Sequence, residues 1–129
     1  MPEGRKKILL VEDDRMFAYI HQRSLEREGY EVLHASDGEL GLLEAGRWSP
    51  DALVLDIGLP KLDGFALLEQ LKAEPGTAPL PVIMYSRLCS KEDVQKCLML
   101  GAYAYLMKHH HGPEDLLRCL RSLFPADAV

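Results

Sequence analysis

One stretch, Asp51-Ala-Leu-Val-Leu-Asp-Ile-Gly-Leu-Pro-Lys-Leu-Asp-Gly-Phe65, constrains the fold more than any other part of the chain. Ala52 to Leu55 is a short apolar run that ends abruptly in a carboxylate, Asp56. Gly58 and Pro60 then break regular structure, and Gly64-Phe65 opens a leucine-rich helical pattern. A strand buried on both faces, followed by an acid, a loop and a helix, has this order of residues. In open α/β sheets the carboxyl end of the strands is where ligands bind and chemistry occurs. Taken alone, Asp56 serves as well as a turn residue or a helix cap, and the rest of the chain has to decide.

Lys7 to Val11 ends in Glu12-Asp13-Asp14 and reads as a central strand with an acidic cluster at its carboxyl end. Arg15 to Glu28 predicts a helix with Met16, Phe17 and Ile20 on one arc and Gly29 as its stop. Glu31 to Ala35 alternates weakly, as a strand nearer an edge does. Asp37 caps a helix running to Gly46 through Leu40 and Leu43, with Trp48 packed over its end. The helix after Gly64 buries Leu67, Leu68 and Leu71. Pro81 to Tyr85 is a fourth strand, ending at Ser86. Ser90, with Asp93 three residues on, resembles a capping box opening a helix on which Val94, Cys97, Leu98 and Gly101 share a face. Ala104 to Met107 is a fifth strand that ends at Lys108, and Pro113 starts a last helix burying Leu116, Leu120 and Leu123. Five strand–helix pairs with short connections predict a parallel sheet with right-handed crossovers and helices on both faces. The expected fold is α/β: a flavodoxin-like doubly wound five-stranded sheet, (βα)5, with strand order 2-1-3-4-5. One domain is expected over residues 1–129, with its core at about 7–124.

A net charge of -5 offers no basic footprint for direct binding of nucleic acid or anionic membrane. No apolar run approaches the length of a membrane span. The basic N-terminus leads into an apolar run too short for a signal peptide. Cys89, Cys97 and Cys119 are odd in number and lack metal-type spacing, as expected of reduced thiols in a cytoplasmic protein. Cys97 and Cys119 are expected on buried helix faces.

Glu12, Asp13 and Asp14 follow the first strand, Asp56 the third, Ser86 the fourth and Lys108 the fifth. If the central strands are neighbours, three or four carboxylates meet one hydroxyl and one ammonium in a single crevice. Carboxylates packed that closely repel, so they need raised pKa values or a counter-ion. Mg²⁺ takes one or two carboxylates, a carbonyl and waters, and leaves room for a phosphoryl oxygen. Asp56 then suits a nucleophile on phosphorus, with Lys108 and Ser86 on the phosphoryl oxygens. Each residue also has a plain alternative: Ser86 as a cap, Lys108 as surface charge, Asp13 in a turn.

On these residues the chain resembles the receiver domain of two-component response regulators, from about Lys7 to Phe124. The likeness is carried by Ile8-Leu-Leu-Val-Glu-Asp-Asp14, Leu53-Val-Leu-Asp-Ile-Gly-Leu-Pro60, Asp63-Gly-Phe65, Ser86 and Gly101-Ala-Tyr-Ala-Tyr-Leu-Met-Lys108. The resemblance implies Asp56 as phosphoacceptor and Asp13 as a direct Mg²⁺ ligand, with Glu12 helping through water. It also implies the carbonyl of Gly58 on the metal, and Ser86 and Lys108 on the phosphoryl group. Ser86 and Tyr105 would form a switch that remodels the face of the fourth helix, fifth strand and fifth helix. The implied partners are a histidine kinase or histidine phosphotransfer protein and an unknown effector, with no nucleic acid or membrane bound directly. The implied state is a monomer or a phosphorylation-dependent dimer. A stand-alone phosphoacceptor in the cytoplasm, rather than a turnover enzyme, is expected. Two other readings are a receiver that docks without phosphorylation and a Mg²⁺-dependent aspartyl-phosphate phosphohydrolase. The latter commonly has a second acid two residues after its nucleophile, where this chain has Gly58. A flavin mononucleotide carrier would want a phosphate-cradling loop where this chain has three acids.

Four positions depart from the family pattern. His109 follows Lys108 where a cis proline is usual; a cis bond before a non-proline residue costs about 3–4 kcal/mol, so a trans bond and a shifted loop are expected. Arg87 replaces a small residue and is expected to extend into solvent, with shielding or binding of the phosphoryl group as alternatives. Gly58 has no side chain to orient a hydrolytic water. Tyr103 replaces a commonly acidic residue. The His109–His111 run is expected to be a solvated loop rather than a metal site.

Overall fold

The computed structural model describes residues 4–87 and 90–125; Cys89 therefore lies outside the described residues. The chain alternates β1 (Lys7–Val11), α1 (Arg15–Arg27), β2 (Glu31–Ala35), α2 (Gly38–Trp48), β3 (Ala52–Leu55), α3 (Gly64–Ala73), β4 (Val82–Ser86), α4 (Lys91–Met99), β5 (Ala104–Met107) and α5 (Pro113–Leu123). The strands form one parallel sheet in the order β2-β1-β3-β4-β5, as the sequence pattern predicts.

Because side chains alternate along a strand, each strand feeds two cores. Leu9, Val11, Leu53, Leu55 and Met84 face one core, with Leu67, Leu68 and Leu71 of α3 and Cys97 of α4. Ile8, Leu10, Val54, Ile83 and Tyr85 face the other, with Ala18 and Leu25 of α1 and Leu116, Leu117 and Leu120 of α5. The helices start where side chains accept otherwise unpaired amides. Asp14, Asp37, Asp63 and Ser90 cap α1 to α4, accepting from Phe17, Leu40, Ala66 and Asp93 respectively. At α5 the Asp115 carboxylate reaches back to the Gly112 amide.

Several helix faces differ from expectation. In α1 the buried residues are Ala18, His21 and Leu25, whereas Met16 and Ile20 are exposed. In α2 they are Gly38, Gly41 and Ala45, with Leu40 and Leu43 exposed. At α2 close approach to the sheet selects small residues over large ones: a Cβ on Gly41 would stand 2.9 Å from a Val11 methyl. On α4, Cys97 is buried but Leu98 is exposed. Cys119 and Leu123 of α5 are only half-buried.

Two glycines place the loops around Asp56. A Cβ on Gly64 would lie 2.4 Å from the Asp56 carbonyl oxygen and 2.5 Å from the Ile57 Cα. One on Gly38 would lie 1.8 Å from the Leu62 carbonyl oxygen. No side chain fits at either point, so the loop after β3 packs backbone to backbone against α2 and α3.

Candidate functional site

In the sheet register Val11 lies beside Leu55, Leu55 beside Met84, and Ser86 beside Met107. The residues that follow or end these strands therefore converge at one edge. Glu12, Asp13, Asp14, Asp56, Gly58, Ser86, Arg87 and Lys108 line a cleft of about 250 Å³. Every residue singled out there in the sequence is present in it; Tyr105 stands beside it, its hydroxyl close to the Ser86 side chain.

Asp56 is 8% exposed and Glu12 1%. Lys108 Nζ donates to Asp56 Oδ2 at 3.2 Å and pairs with Glu12 Oε1 at 2.8 Å. Its side chain is 7% exposed, and its ammonium lies 4.2 Å from the centroid of the Phe17 ring. The trans Lys108–His109 bond therefore leaves the lysine within reach of both acids. Glu12 Oε2 accepts the Asp14 amide at 3.0 Å, and Asp56 Oδ1 accepts the Gly58 amide at 3.3 Å.

Burial pushes the Glu12 carboxyl above its usual range and the Asp56 charge adds to this, while Lys108 and the Asp14 amide pull it back. Asp14, which caps α1, is held below the usual range chiefly by the Phe17 amide. The Tyr105 hydroxyl is pushed up to about 12, mainly by burial.

Glu12, Asp13 and Asp56 each offer a carboxylate oxygen within 4.8 Å of the others. Three hard oxygen donors with a deficit of positive charge suit a hard divalent cation. No histidine or cysteine among the described residues joins a cluster of this kind.

Two site neighbours depart from expectation. Arg87 is largely exposed but does not simply extend into solvent: its guanidinium reaches Asp14 Oδ2 at 3.6 Å across the cleft mouth. His109 and His110 are exposed, but His111 is turned inward, its Nδ1 accepting the Met107 amide at 2.9 Å. The supports behind the site are not legible in the sequence. His34 Nε2 donates to the Glu12 carbonyl at 2.7 Å and so ties β2 to the acidic loop. Phe17, His21 and Tyr85 form an aromatic cluster beneath Lys108. Of these supports only Tyr85 adjoins a site residue in the chain, directly preceding Ser86.

The match to the response regulator receiver domain covers residues 8–121, and the chain belongs to that family. It is 41% identical over 103 residues to the alkaline phosphatase synthesis transcriptional regulatory protein PhoP of Bacillus subtilis, covering 80% of this chain and 42% of that protein. The CheY-like response regulator receiver domain protein of Methanospirillum hungatei is 32% identical, with a TM-score of 0.86 over 93% of this chain and 94% of that one. The receiver domain of the sensor histidine kinase PA1611 of Pseudomonas aeruginosa, with magnesium coordinated in its active-site cleft, is 28% identical with a TM-score of 0.85, over 95% of this chain and 100% of that one. The chain spans 15%, 42% and 51% of the length of three curated relatives it matches. No helix among the described residues is long and apolar enough to cross a membrane.

Proposed function

We propose that this receiver domain accepts a phosphoryl group on Asp56 from the phosphohistidine of a kinase or phosphotransfer protein, in a Mg²⁺-dependent reaction. The observation that carries the reading is the convergence of Asp56, Glu12, Asp13, Ser86 and Lys108 on one cleft, with the Lys108 ammonium 3.2 Å from the Asp56 carboxylate. An Asp56 oxygen forms the new bond to phosphorus as the phosphorus–nitrogen bond breaks, and the donor imidazole leaves with the bonding pair. Lys108 then faces the transferred group and offsets its charge, and the Ser86 hydroxyl offers it a hydrogen bond. Asp13, Asp56, Glu12 and Gly58 are the residues that would hold Mg²⁺, which when bound supplies charge neutralisation at the acidic cluster.

The closeness of the Ser86 and Tyr105 side chains supports a switch role for this pair. A phosphoryl group that recruits the Ser86 hydroxyl draws it away from Tyr105, and the change passes through Tyr105 to the face of α4, β5 and α5. An effector that reads this face is the expected partner. The domain is a stoichiometric acceptor rather than a turnover enzyme: no second acid stands at Gly58 to activate water. Arg87, whose guanidinium reaches Asp14 across the mouth of the cleft, favours docking without phosphorylation as the second reading.

Intact mass after incubation with Mg²⁺ and a small acyl-phosphate donor tests the proposal, with Asp56→Asn alongside. One added phosphoryl group, absent in the variant and without Mg²⁺, is the expected result. No adduct on a chain shown to bind Mg²⁺ would overturn it in favour of the docking reading, and multiple turnover of a phosphate monoester would make the chain a phosphohydrolase.

A further inference from the structure

We propose that Tyr85 and His111 form a latch that positions Lys108, doing in this chain the loop-fixing work that falls elsewhere in the family to a proline after the lysine. The inference rests on the phosphoacceptor reading of Asp56.

The loop carrying Lys108 is closed on itself. The amides of His110 and His111 both donate to the Met107 carbonyl, at 2.9 and 2.8 Å, and the His111 ring returns to accept the Met107 amide at 2.9 Å. His111 thus fixes the residue before Lys108 from both its amide and its carbonyl side. The loop is tied to the interior by the Tyr85 hydroxyl, which donates to the His111 carbonyl. Tyr85 is 1% exposed, so this anchor does not move with solvent. Burial pushes its hydroxyl up to about 12, and it remains a donor at any physiological pH.

The same tyrosine is coupled to the surface on which Lys108 rests. Its hydroxyl lies 3.3 Å from His21 Nε2, and His21 Nδ1–H donates to the Phe17 carbonyl at 2.9 Å. The His21 and Phe17 rings stack with centroids 4.0 Å apart, and Tyr85 meets the Phe17 ring edge-on at 5.0 Å. The Lys108 ammonium lies 4.2 Å from the Phe17 centroid. Both ends of the lysine are therefore set by one network: its backbone by His111 and Tyr85, and its ammonium by Phe17, Glu12 and Asp56. A lysine stem has several freely rotating bonds, so without a fixed backbone the ammonium spreads over many positions.

The test uses Tyr85→Phe, His111→Leu and His111→Asn, each with Lys108 intact and in a Lys108→Ala background. Phosphoryl uptake from a small acyl-phosphate donor with Mg²⁺ is one readout. The NMR shifts of the Lys108 methylene groups, displaced by the Phe17 ring current, are the other and need no phosphorylation. Tyr85→Phe and His111→Leu are expected to slow uptake about fivefold to tenfold, the equivalent of one net hydrogen bond. His111→Asn, whose Oδ1 can accept the Met107 amide, should recover most of that loss. In the Lys108→Ala background the same changes should alter the rate less than about twofold, because residues acting through one group are not additive. The Lys108 signals should move toward those of a solvated lysine in Tyr85→Phe and His111→Leu and stay in place in His111→Asn. Equal losses with and without Lys108, or unmoved Lys108 signals, would overturn the latch. If Tyr85→Phe fails to fold, the two His111 variants decide. If the wild-type chain takes no phosphoryl group, the phosphoacceptor reading fails and the NMR comparison still decides the latch.

Discussion

Lys108→Ala tests the electrostatics of the cleft most directly. The lysine is 7% exposed and stands 2.8 Å from Glu12 and 3.2 Å from Asp56, so its loss leaves two nearly buried carboxylates facing each other. Removing one partner of a buried ion pair costs about 3–5 kcal/mol, because the charge left behind is uncompensated. Two features put this site at the lower end. The cleft opens to water, and Glu12, already raised by burial and by Asp56, can take up a proton. We expect a loss of about 3 kcal/mol at neutral pH in EDTA, or roughly 10 °C in Tm for a chain of this size. The dependence on pH has a definite sign. Lys108 lowers the Glu12 carboxyl in the folded chain, so its removal raises that group further. Stability linked to a raised carboxyl is present below the ordinary value of 4.5 and lost as pH rises through the folded value. The gap between wild type and variant should therefore be small in acid and widen toward neutrality, and Mg²⁺ should narrow it again. Urea unfolding across this range, with EDTA and with Mg²⁺, is the assay. A gap independent of pH, or a loss of less than about 1 kcal/mol, would refute the reasoning, because Lys108 would then be acting as ordinary surface charge.

Gly64→Ala places a Cβ 2.4 Å from the Asp56 carbonyl oxygen, where ordinary contact begins at 3.4 Å. The backbone must shift by about 1 Å, which should cost about 3 kcal/mol in thermal unfolding and about a hundredfold in the phosphoryl uptake rate of Asp56. Glu12→Gln removes the raised carboxyl, so the variant should gain on wild type as pH rises from 4.5 through the folded value of Glu12. Parallel urea midpoints across that range would contradict this. Arg87→Ala breaks a 3.6 Å pair whose arginine side chain is 67% exposed, and its effect on melting should stay within about 0.5 kcal/mol. A larger loss would mean that Arg87 holds the loop after β4.

The strands were legible because the sheet buries them on both faces. Ala52–Leu55 is an unbroken apolar run in the sequence and buried throughout in the structure, so composition and environment coincide. The caps were legible for a local reason: Asp37 and Ser90 act on amides three residues away, and no distant partner is needed. The exposed faces of α1 and α2 were not legible by the same rule. Hydrophobicity ranks Met16, Ile20, Leu40 and Leu43 above Ala18, Gly41 and Ala45, yet the small residues are buried. On α2 what decides is the distance between helix and sheet, and this is set by Val11 and the loop at Leu62 rather than by the helix itself.

The cleft divides along the same line. Glu12, Asp56, Ser86 and Lys108 could be placed from the sequence because each stands at the carboxyl end of its strand, and parallel strands in register bring those ends to one edge. The groups that hold them in position are linked by contacts far apart in the chain. His21 meets Tyr85 across 64 positions, Tyr85 meets His111 across 26, and His34 meets Glu12 across 22. No local pattern encodes such pairs, and His111 looked like one of three equivalent loop histidines until the fold turned its ring onto the Met107 amide. The missing proline after Lys108 was visible as a departure, but what replaces it was not. A proline stiffens a loop through its own covalent ring, whereas this loop is held by hydrogen bonds from Tyr85 and His111, each of which a single substitution can remove.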